Sequence, residues 1–375
     1  MKVELIMISN LKLSGGGRET WLNNFLTALK QYKNSISSIE IHSLDLAEEN
    51  LVKEHSNFIK SITYKRKILF LPILVNFIVS YIFINLFKKK NVDKYIAVGG
   101  LDEMIALLFG NFFYVRKSQR IVWLRSIYSL EKASSYPKWL VKILFFFEIF
   151  LLRYFFGKII ANGYDTAFFY KKLGLDVDVI PNSIFIEDWA ASYKKNISDV
   201  LNVAYIGRIT KIKGFDNFVK SIDEINKVNN GRVLFHIIGD GNDRALINNK
   251  ENVKYYGAVS NKELPKIVYN IDVCVALTVF DDNMGGAGIS NALLEHMASK
   301  KVIICWDNQI FRQILDCDSA YFVKQNDVEQ LRKTILYIAN NREEASKKAD
   351  LAYEAVLKFS MENHVKLFND LIREV

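Results

Sequence analysis

Residues 285–298 read GGAGISNALLEHMA, a glycine-rich segment followed directly by a helical pattern that carries one carboxylate, Glu295. Glycines let backbone N–H groups approach a ligand that a side chain would exclude, and the amino end of a helix adds unpaired donors and a partial positive charge. Ser290 or Asn291 is placed to cap the helix, and Glu295 follows about one turn later. The stretch therefore predicts a strand-to-helix turn that holds an anion or a sugar.

Short apolar runs alternate with helical patterns on both sides of this stretch. In the first half we predict strands at residues 3–8, 38–44, 95–98 and 120–124, with a helix at residues 19–32. In the second half we predict strands at residues 202–206, 233–238, 253–256, 273–277 and 302–304. Such alternation is typical of parallel sheets with crossover helices, so we expect an α/β fold with two Rossmann-like domains.

The two expected domains meet at Ile180-Pro181-Asn182-Ser183, where a proline and small polar residues interrupt the apolar pattern. We assign residues 1–185 to the first domain and residues 186–357 to the second, and we expect a last helix, residues 358–375, to cross back to the first. A chain of 375 residues with 50% hydrophobic content is long enough for two cores and too apolar to be disordered.

The cysteines and the first residues indicate the compartment. Cys274, Cys305 and Cys317 show neither metal-ligand spacing nor an even disulfide framework, which favours a reducing, cytoplasmic setting. Residues 1–9 contain only a short apolar run that Glu4 interrupts, so we interpret them as a first strand rather than a signal peptide.

The net charge of +9 is concentrated in the first half of the chain. Residues 51–150 hold 16 basic and 6 acidic residues, and they are also rich in large apolar and aromatic side chains. Basic residues interleaved with apolar ones favour an anionic membrane surface as a partner. Nucleic acid is not expected, because no nucleic-acid-binding motif is present.

Two apolar segments raise the question of membrane insertion. Residues 68–87 read ILFLPILVNFIVSYIFINLF, which is long enough to span a bilayer, but Pro72 and Asn76 interrupt it and basic clusters flank both ends. We interpret this segment as a buried or membrane-leaning helix, with an integral membrane protein as the alternative. Residues 139–160 contain Lys142 and Glu148, which favours an interfacial or core helix over a span.

A second motif, YIGRITKIKGF at residues 205–215, follows a predicted strand and opens a helix. It places Arg208 and Lys213 at the carboxyl end of the sheet, where open α/β sheets bind their ligands. Two fixed cations suit a diphosphate, because they offset its charge when it binds and stabilise the charge that develops on it as a leaving group.

Together these segments resemble the retaining, nucleotide-sugar-dependent glycosyltransferases of the GT-B fold in the family numbered four, also called glycosyl transferases group 1. The likeness covers most of residues 200–300 and includes Gly239-Asp240-Gly241 after a strand. It is thinner in the first half, where residues 14–18, SGGGR, resemble the family's first glycine loop. The resemblance implies two Rossmann-like domains that face each other across a cleft, and a sugar transfer that needs no metal or other cofactor.

The resemblance also implies roles for individual residues. Arg208 and Lys213 would bind the donor diphosphate, and Glu295 would hold the ribose hydroxyls of the nucleotide. The further expected donor-binding residues are Gly16, Gly17, Gly207, Gly239, Gly241, Gly286, Ala287, Gly288, Ile289 and Ser290. Arg18 and Arg125 are the candidates on the acceptor side.

Two positions depart from the family pattern. Ala287 stands where the family has its first glutamate, which contacts the transferred sugar. The family often has a histidine that faces the reacting sugar at the end of a strand, and the nearest match in this chain is Arg125. We expect a peripheral enzyme on the cytoplasmic face of the membrane that extends a lipid-linked or surface glycan such as O-antigen or capsule. The alternatives are a GT-B-fold binding partner that lacks activity because of Ala287, and a GT-B-fold nucleotide-sugar epimerase.

Overall fold

The structure, a computed structural model, describes residues 1–10, 17–44, 58–64, 72–87, 90–132, 136–190, 199–228, 231–261, 263–280 and 289–374. These residues form two compact units. Unit 1 comprises the described parts of Met1–Ser183 and Met361–Val375, together with Ile289. Unit 2 comprises the described parts of Ile184–Asp282 and Ser290–Ser360.

Unit 1 is built on a seven-stranded sheet with the strand order β3-β2-β1-β4-β5-β6-β7, and every neighbouring pair of strands is parallel. The strands are β1 (Lys2–Asn10), β2 (Ser38–Leu44), β3 (Ile59–Tyr64), β4 (Lys94–Gly99), β5 (Arg120–Leu124), β6 (Lys158–Ala161) and β7 (Asp178–Val179). The helices are α1 (Gly17–Gln31), α2 (Ile73–Asn85), α3 (Leu101–Gly110), α4 (Tyr128–Lys132), α5 (Lys138–Phe155), α6 (Tyr164–Lys172) and, at the end of the chain, α14 (Met361–Arg373). The central strands β4 and β5 are buried along their whole length, as expected for a parallel sheet covered on both faces.

Unit 2 contains a six-stranded parallel sheet with the order β10-β9-β8-β11-β12-β13. Its strands are β8 (Leu201–Ile206), β9 (Val233–Ile238), β10 (Val253–Gly257), β11 (Val273–Ala276), β12 (Val302–Asp307) and β13 (Tyr321–Lys324). Its helices are α7 (Glu187–Ala190), α8 (Phe215–Asn226), α9 (Leu264–Val268), α10 (Asn291–Ala298), α11 (Gln309–Arg312), α12 (Val328–Asn340) and α13 (Arg342–Val356). The α/β class and the two Rossmann-like sheets predicted from the sequence are confirmed.

Each sheet has a point where the direction of the crossover connections reverses. In unit 1 the chain leaves β1 towards β2 but leaves β4 towards β5, and in unit 2 it leaves β8 towards β9 but leaves β11 towards β12. Loops diverge at such a point and leave a crevice at the carboxyl ends of the strands, which is where open α/β sheets bind ligands. We therefore expect ligand-binding residues in the loops after β1, β4, β8 and β11.

The apolar segment at residues 68–87 contains α2, which is 13 residues long. Phe77 and Tyr81 of this helix are buried against unit 1, whereas Phe83 is 82% exposed. Residues 68–71 lie outside the described residues. Across the part of the chain that the structure describes, no helix is long and apolar enough to cross a membrane.

The interpretation of residues 139–160 as one helix is wrong at its end. Helix α5 stops at Phe155, and strand β6 begins at Lys158. The chain turns at Gly157, where a Cβ atom would overlap the backbone of Lys117 and Ser118, so the close approach of this neighbouring segment requires glycine. The β-branched Ile159 and Ile160 that follow suit a buried strand better than a helix.

A buried polar network fixes the end of α2 on the first sheet. Glu4, on β1, accepts hydrogen bonds from Tyr81 Oη (2.6 Å) and from Lys90 Nζ (2.7 Å). Glu40 and His42, on β2, join this network, and the hydrogen bond between them, 3.0 Å, does most to hold the pKa of Glu40 at about 2. The Lys90 ammonium thus occupies the one place in the described residues where Glu4, Glu40 and His42 bring their ligand atoms together as for a metal ion.

Candidate functional site

Two cations lie together at the reversal point of the second sheet. Arg208 follows β8 and is exposed, whereas Lys213 is partly buried and its Nζ donates to Thr278 Oγ1, just after β11, at 3.3 Å. Burial, and to a lesser extent the neighbouring Arg208, lowers the pKa of Lys213. Among the described residues neither cation forms an ion pair. Two like charges without a counter-ion make this edge of the sheet ready to bind an anion.

The local chain holds these cations in place. Tyr205, at the end of β8, donates from its hydroxyl to the backbone oxygen of Arg208 at 2.7 Å. A short 3-10 turn, Lys211–Lys213, is followed by Gly214, which has φ 71° and is the N-cap residue of α8. The amino end of α8 therefore faces the same edge of the sheet as Lys213.

The predicted glycines after β8 and β9 lie against each other. A Cβ atom on Gly239, which has φ 137°, would overlap the backbone oxygen of Gly207, and one on Gly241 would overlap that of Ile209. Backbone hydrogen bonds join the same segments, from Ile209 N to Asp240 O and from Gly207 N to Ile238 O, both at 2.9 Å. These glycines thus let two loops approach closely beside Arg208.

Replacement of Gly239 by alanine is expected to destabilise unit 2 by about 2 kcal/mol or more, because strain at positive φ adds to the overlap with Gly207. Thermal or urea unfolding measures the effect. Gly231→Ala is the matched control, since Gly231 also has positive φ, 79°, but open space around its Cβ position. Equal losses of stability in the two variants would contradict the role of loop contact.

Glu295 lies in α10, the helix after the glycine-rich loop. This helix begins at Asn291 and ends just before β12, so its amino end lies at the carboxyl edge of the sheet and Glu295 lies about one turn inside it, as predicted. The side chain is buried, its carboxyl group has no hydrogen-bond partner among the described residues, and burial raises its pKa to about 7. A buried carboxyl group is costly for a fold unless it accepts hydrogen bonds, so a ligand that donates hydrogen bonds to Glu295 would stabilise it.

The structure describes only some of the donor-binding residues that are expected on the glycine-rich loops. Ser290 is the N-cap residue of α10, but its side chain makes no capping hydrogen bond. Ile289 is buried, and its backbone oxygen accepts from Asn182 Nδ2 at 2.8 Å. Gly17 is the first residue of α1. Gly16, Gly286, Ala287 and Gly288 lie outside the described residues.

Arg125, at the end of β5, is held within unit 1. Its Nη2 donates to Asn182 Oδ1 at 2.9 Å, and its guanidinium lies 4.4 Å from the centre of the Trp21 ring. Its Nη1 is buried and has no partner among the described residues. Burial, with a smaller effect of Arg18, lowers the pKa of Arg125 to about 9. The side chain remains cationic at neutral pH and keeps one donor available for an acceptor oxygen.

The surroundings of Arg125 are fixed by the last helix of the chain. His364, on α14, has its pKa lowered to about 3 by burial and is therefore neutral. Its Nε2 accepts from Trp21 Nε1 at 3.2 Å, so its Nδ1 carries the proton and donates to the Pro181 backbone oxygen at 2.9 Å. Helix α14 thus packs within unit 1 and positions Trp21 beneath Arg125.

Arg18 lines a cavity of about 250 Å³ at the reversal point of the first sheet, together with Asp102, Glu103, Tyr128 and Glu131. Glu103 is buried, accepts from the backbone N–H of Gly100 at 2.9 Å, and lies 3.5 Å from Arg18. Burial raises its pKa to about 7 although Arg18 opposes this rise. The cavity presents three carboxyl groups, one guanidinium and one phenol, which suits a ligand rich in hydroxyl groups.

Sequence reasoning missed Glu103. The signal was present, because Gly99-Gly100-Leu101-Asp102-Glu103 places acidic residues directly after a buried strand and in the first turn of a helix. A Cβ atom on Gly99 would overlap the Glu103 carboxyl group, so this glycine leaves room for it.

Residues 201–341 match the family model described as glycosyl transferases group 1. This part of the chain is therefore similar to the domain of group 1 glycosyltransferases. One sequence relative is an uncharacterized 41.2 kDa protein in the cps region of Klebsiella pneumoniae, 28% identical over 185 residues, or 45% of this chain and 49% of the relative. The chain spans about half the length of the curated relatives it matches.

Solved structures match over the whole chain. Sucrose-phosphate synthase from Thermosynechococcus elongatus has a TM-score of 0.79 at 13% identity and covers 100% of this chain and 98% of its own. The Anabaena protein HepE in complex with UDP-glucose has a TM-score of 0.72 at 13% identity, with 100% of both chains covered. At these identities the likeness establishes the fold, and it confirms the GT-B fold expected from the sequence.

Proposed function

We propose that the chain is a retaining glycosyltransferase that moves a sugar from a nucleoside diphosphate sugar to a lipid-linked or growing surface glycan. The observation that carries this proposal is the pair Arg208 and Lys213, which has no counter-ion among the described residues and lies at the reversal point of the sheet in a part of the chain similar to the domain of group 1 glycosyltransferases. The Klebsiella relative from a cps region and the Anabaena structure with UDP-glucose support the setting and the type of donor.

In the proposed reaction the bond between the anomeric carbon and the diphosphate breaks, and an acceptor hydroxyl bonds to the anomeric carbon on the same face. The hydroxyl proton passes to the leaving diphosphate, and Arg208 and Lys213 stabilise the negative charge that develops there. Glu295 accepts hydrogen bonds from the ribose hydroxyls of the nucleotide. The proposed chemistry needs neither a metal nor another cofactor.

The transfer itself is tested with purified chain, a panel of labelled nucleotide sugars and a membrane lipid extract. We expect the labelled sugar of one donor to be transferred to the lipid fraction, and we expect the transferred sugar to keep its anomeric configuration. Consumption of a donor without any acceptor would instead indicate an epimerase. Donor binding without transfer across the panel, unchanged by Ala287→Glu, would indicate a binding partner without activity.

On the acceptor side we propose that the cavity beside Arg18 binds hydroxyl groups of the glycan. Arg18→Ala is expected to raise the acceptor KM by about tenfold while donor affinity stays the same, because one charged hydrogen bond is lost. The measurement is steady-state transfer with acceptor and donor varied in turn. Lys33→Ala, an exposed cation of the same unit, is the control. A change in donor affinity with an unchanged acceptor KM would contradict this assignment.

We also propose that the enzyme works at the cytoplasmic face of a membrane, held there peripherally. The interleaved basic and aromatic residues in the first half of the chain support this location, because such side chains anchor at lipid headgroups.

A further inference from the structure

One face of α5 carries large apolar side chains that stay exposed. Trp139, Phe146 and Tyr154 are 65%, 70% and 58% exposed. Spacings of three, four and seven residues align the set along the helix, which at 18 residues is about 27 Å long. We call the following six side chains the α5 face: Trp139, Ile143, Phe146, Phe147, Phe150 and Tyr154.

The charges on α5 are divided between its two sides. Glu148, the one acidic residue of the helix, is fully buried and accepts from Tyr170 Oη at 2.7 Å. The exposed charges of the helix, Lys138, Lys142 and Arg153, are all positive. The exposed charges that α5 itself contributes beside the α5 face are therefore all positive.

A second apolar group adjoins the carboxyl end of α5. We call Phe83, Phe87, Phe112, Phe113 and Tyr114 the aromatic corner, and all five are exposed. The rings of Phe87 and Phe113 are stacked with their centres 6.0 Å apart. Arg120 connects the corner with the end of α5, since its guanidinium donates to Phe112 O at 3.4 Å and its backbone oxygen accepts from Gly157 N at 2.9 Å. Exposed Arg116 and Lys117 add positive charge beside it.

The chemistry of this surface identifies its partner. An apolar surface this long is rarely left to water and marks a contact with another molecule. A second copy of the chain would place cations against cations, which opposes association. Tryptophan, tyrosine and phenylalanine bordered by lysine and arginine fit the boundary between the headgroups and acyl chains of an anionic bilayer.

We propose that the α5 face and the aromatic corner dock unit 1 on an anionic lipid surface. This inference deepens the proposed function, in that it names the surface through which a lipid-linked acceptor would be reached. Docking itself requires neither donor nor acceptor, so it is measured without the transfer reaction.

Trp139 provides the readout, because the other four tryptophans, Trp21, Trp123, Trp189 and Trp306, are buried. The full chain is titrated with phosphatidylcholine vesicles that contain or lack phosphatidylglycerol. We expect a blue shift of Trp139 emission and quenching by brominated acyl chains with the anionic vesicles, and weakening of both by salt. Flotation of the protein with the vesicles measures affinity independently.

Two variants separate the charge from the apolar contact. Lys138→Gln, Lys142→Gln and Arg153→Gln combined should weaken binding about 100-fold, or about fivefold for each charge removed. Phe146→Ser with Phe150→Ser should abolish the quenching. Val228→Ser with Leu351→Ser, which removes two exposed apolar side chains of unit 2, is the matched control and should bind as the original chain does.

Equal binding to neutral and anionic vesicles, or binding unaffected by both variants, would overturn the proposal. So would a dimer in sedimentation that Phe146→Ser with Phe150→Ser converts to monomer, since a second copy would then cover the face. Nucleotide binding and far-UV circular dichroism verify that each variant is folded. Vesicle binding without sugar transfer would refute the proposed enzyme activity and support the docking surface. Sugar transfer without vesicle binding would support the enzyme activity and refute the docking surface.

Discussion

Lys213→Ala is expected to lower kcat/KM for sugar transfer by about 10²- to 10³-fold, the usual cost of removing one fixed donor from a developing negative charge. Its ammonium is positioned by Thr278 and lies next to Arg208 without a counter-ion among the described residues. The loss should appear in kcat as well as in donor affinity, because the charge on the diphosphate is largest when the bond to the sugar is breaking.

Lys211→Ala is the matched control for this variant. Lys211 belongs to the same 3-10 turn, but its side chain is exposed. Steady-state rates with donor varied at saturating acceptor give both parameters. Equal rates for the original chain and Lys213→Ala, or equal losses in the two lysine variants, would refute the diphosphate assignment.

Glu295→Gln is expected to have two effects of opposite sign. Donor affinity should fall by about tenfold, because the amide replaces one of the two oxygens that accept from the ribose hydroxyls. The folded state should become more stable at pH 8, by about 2 kcal/mol, because the variant no longer buries a carboxylate. Nucleotide titration and thermal unfolding measure the two effects separately.

The pH dependence of this stabilisation has a definite sign. Burial raises the pKa of the Glu295 carboxyl group from 4.5 to about 7. Between these values the folded state holds more protons than the unfolded state, so the stability contributed by this group is present below pH 4.5 and is lost as the pH rises through 7. The gain from Gln should therefore appear at pH 8 and vanish at pH 4.5.

Glu354→Gln, an exposed position on α13, is the control and should change neither property. A variant at position 295 that binds the donor as tightly as the original chain would contradict the role given to Glu295. A stability gain that is the same at pH 8 and at pH 4.5 would contradict the conclusion that the folded state buries the Glu295 carboxylate.

The sequence predicted most of the parallel strands because apolar runs bounded by loops are a local signal. The strand at 38–44 and that at 120–124 were placed with the bounds they have in the structure. Strand β6 was missed because the same apolar run contains α5, and the chain turns between them at Gly157, which lies against the Lys117 backbone, distant in sequence. Periodicity within a run does not reveal such a contact.

The candidate site was predictable to a similar degree. The loop motifs predicted that Arg208, Lys213 and Glu295 lie at the carboxyl edge of a sheet, and they have these positions in the structure. Glu103 was missed because its burial and its pairing with Arg18 depend on the arrangement of β1, β4 and α1. The sequence also did not determine whether the α5 face is exposed, because an amphipathic pattern is the same whether a helix packs on a protein or on lipid.

Hydrogen–deuterium exchange with and without the nucleoside diphosphate of the preferred donor tests most directly whether the donor binds at the carboxyl edge of the second sheet. We predict slowed exchange in peptides from residues 207–214 and 289–298, and no change in peptides from the exposed helix α13. Protection confined to other parts of the chain, or no protection at nucleotide concentrations that saturate transfer, would contradict donor binding at this edge.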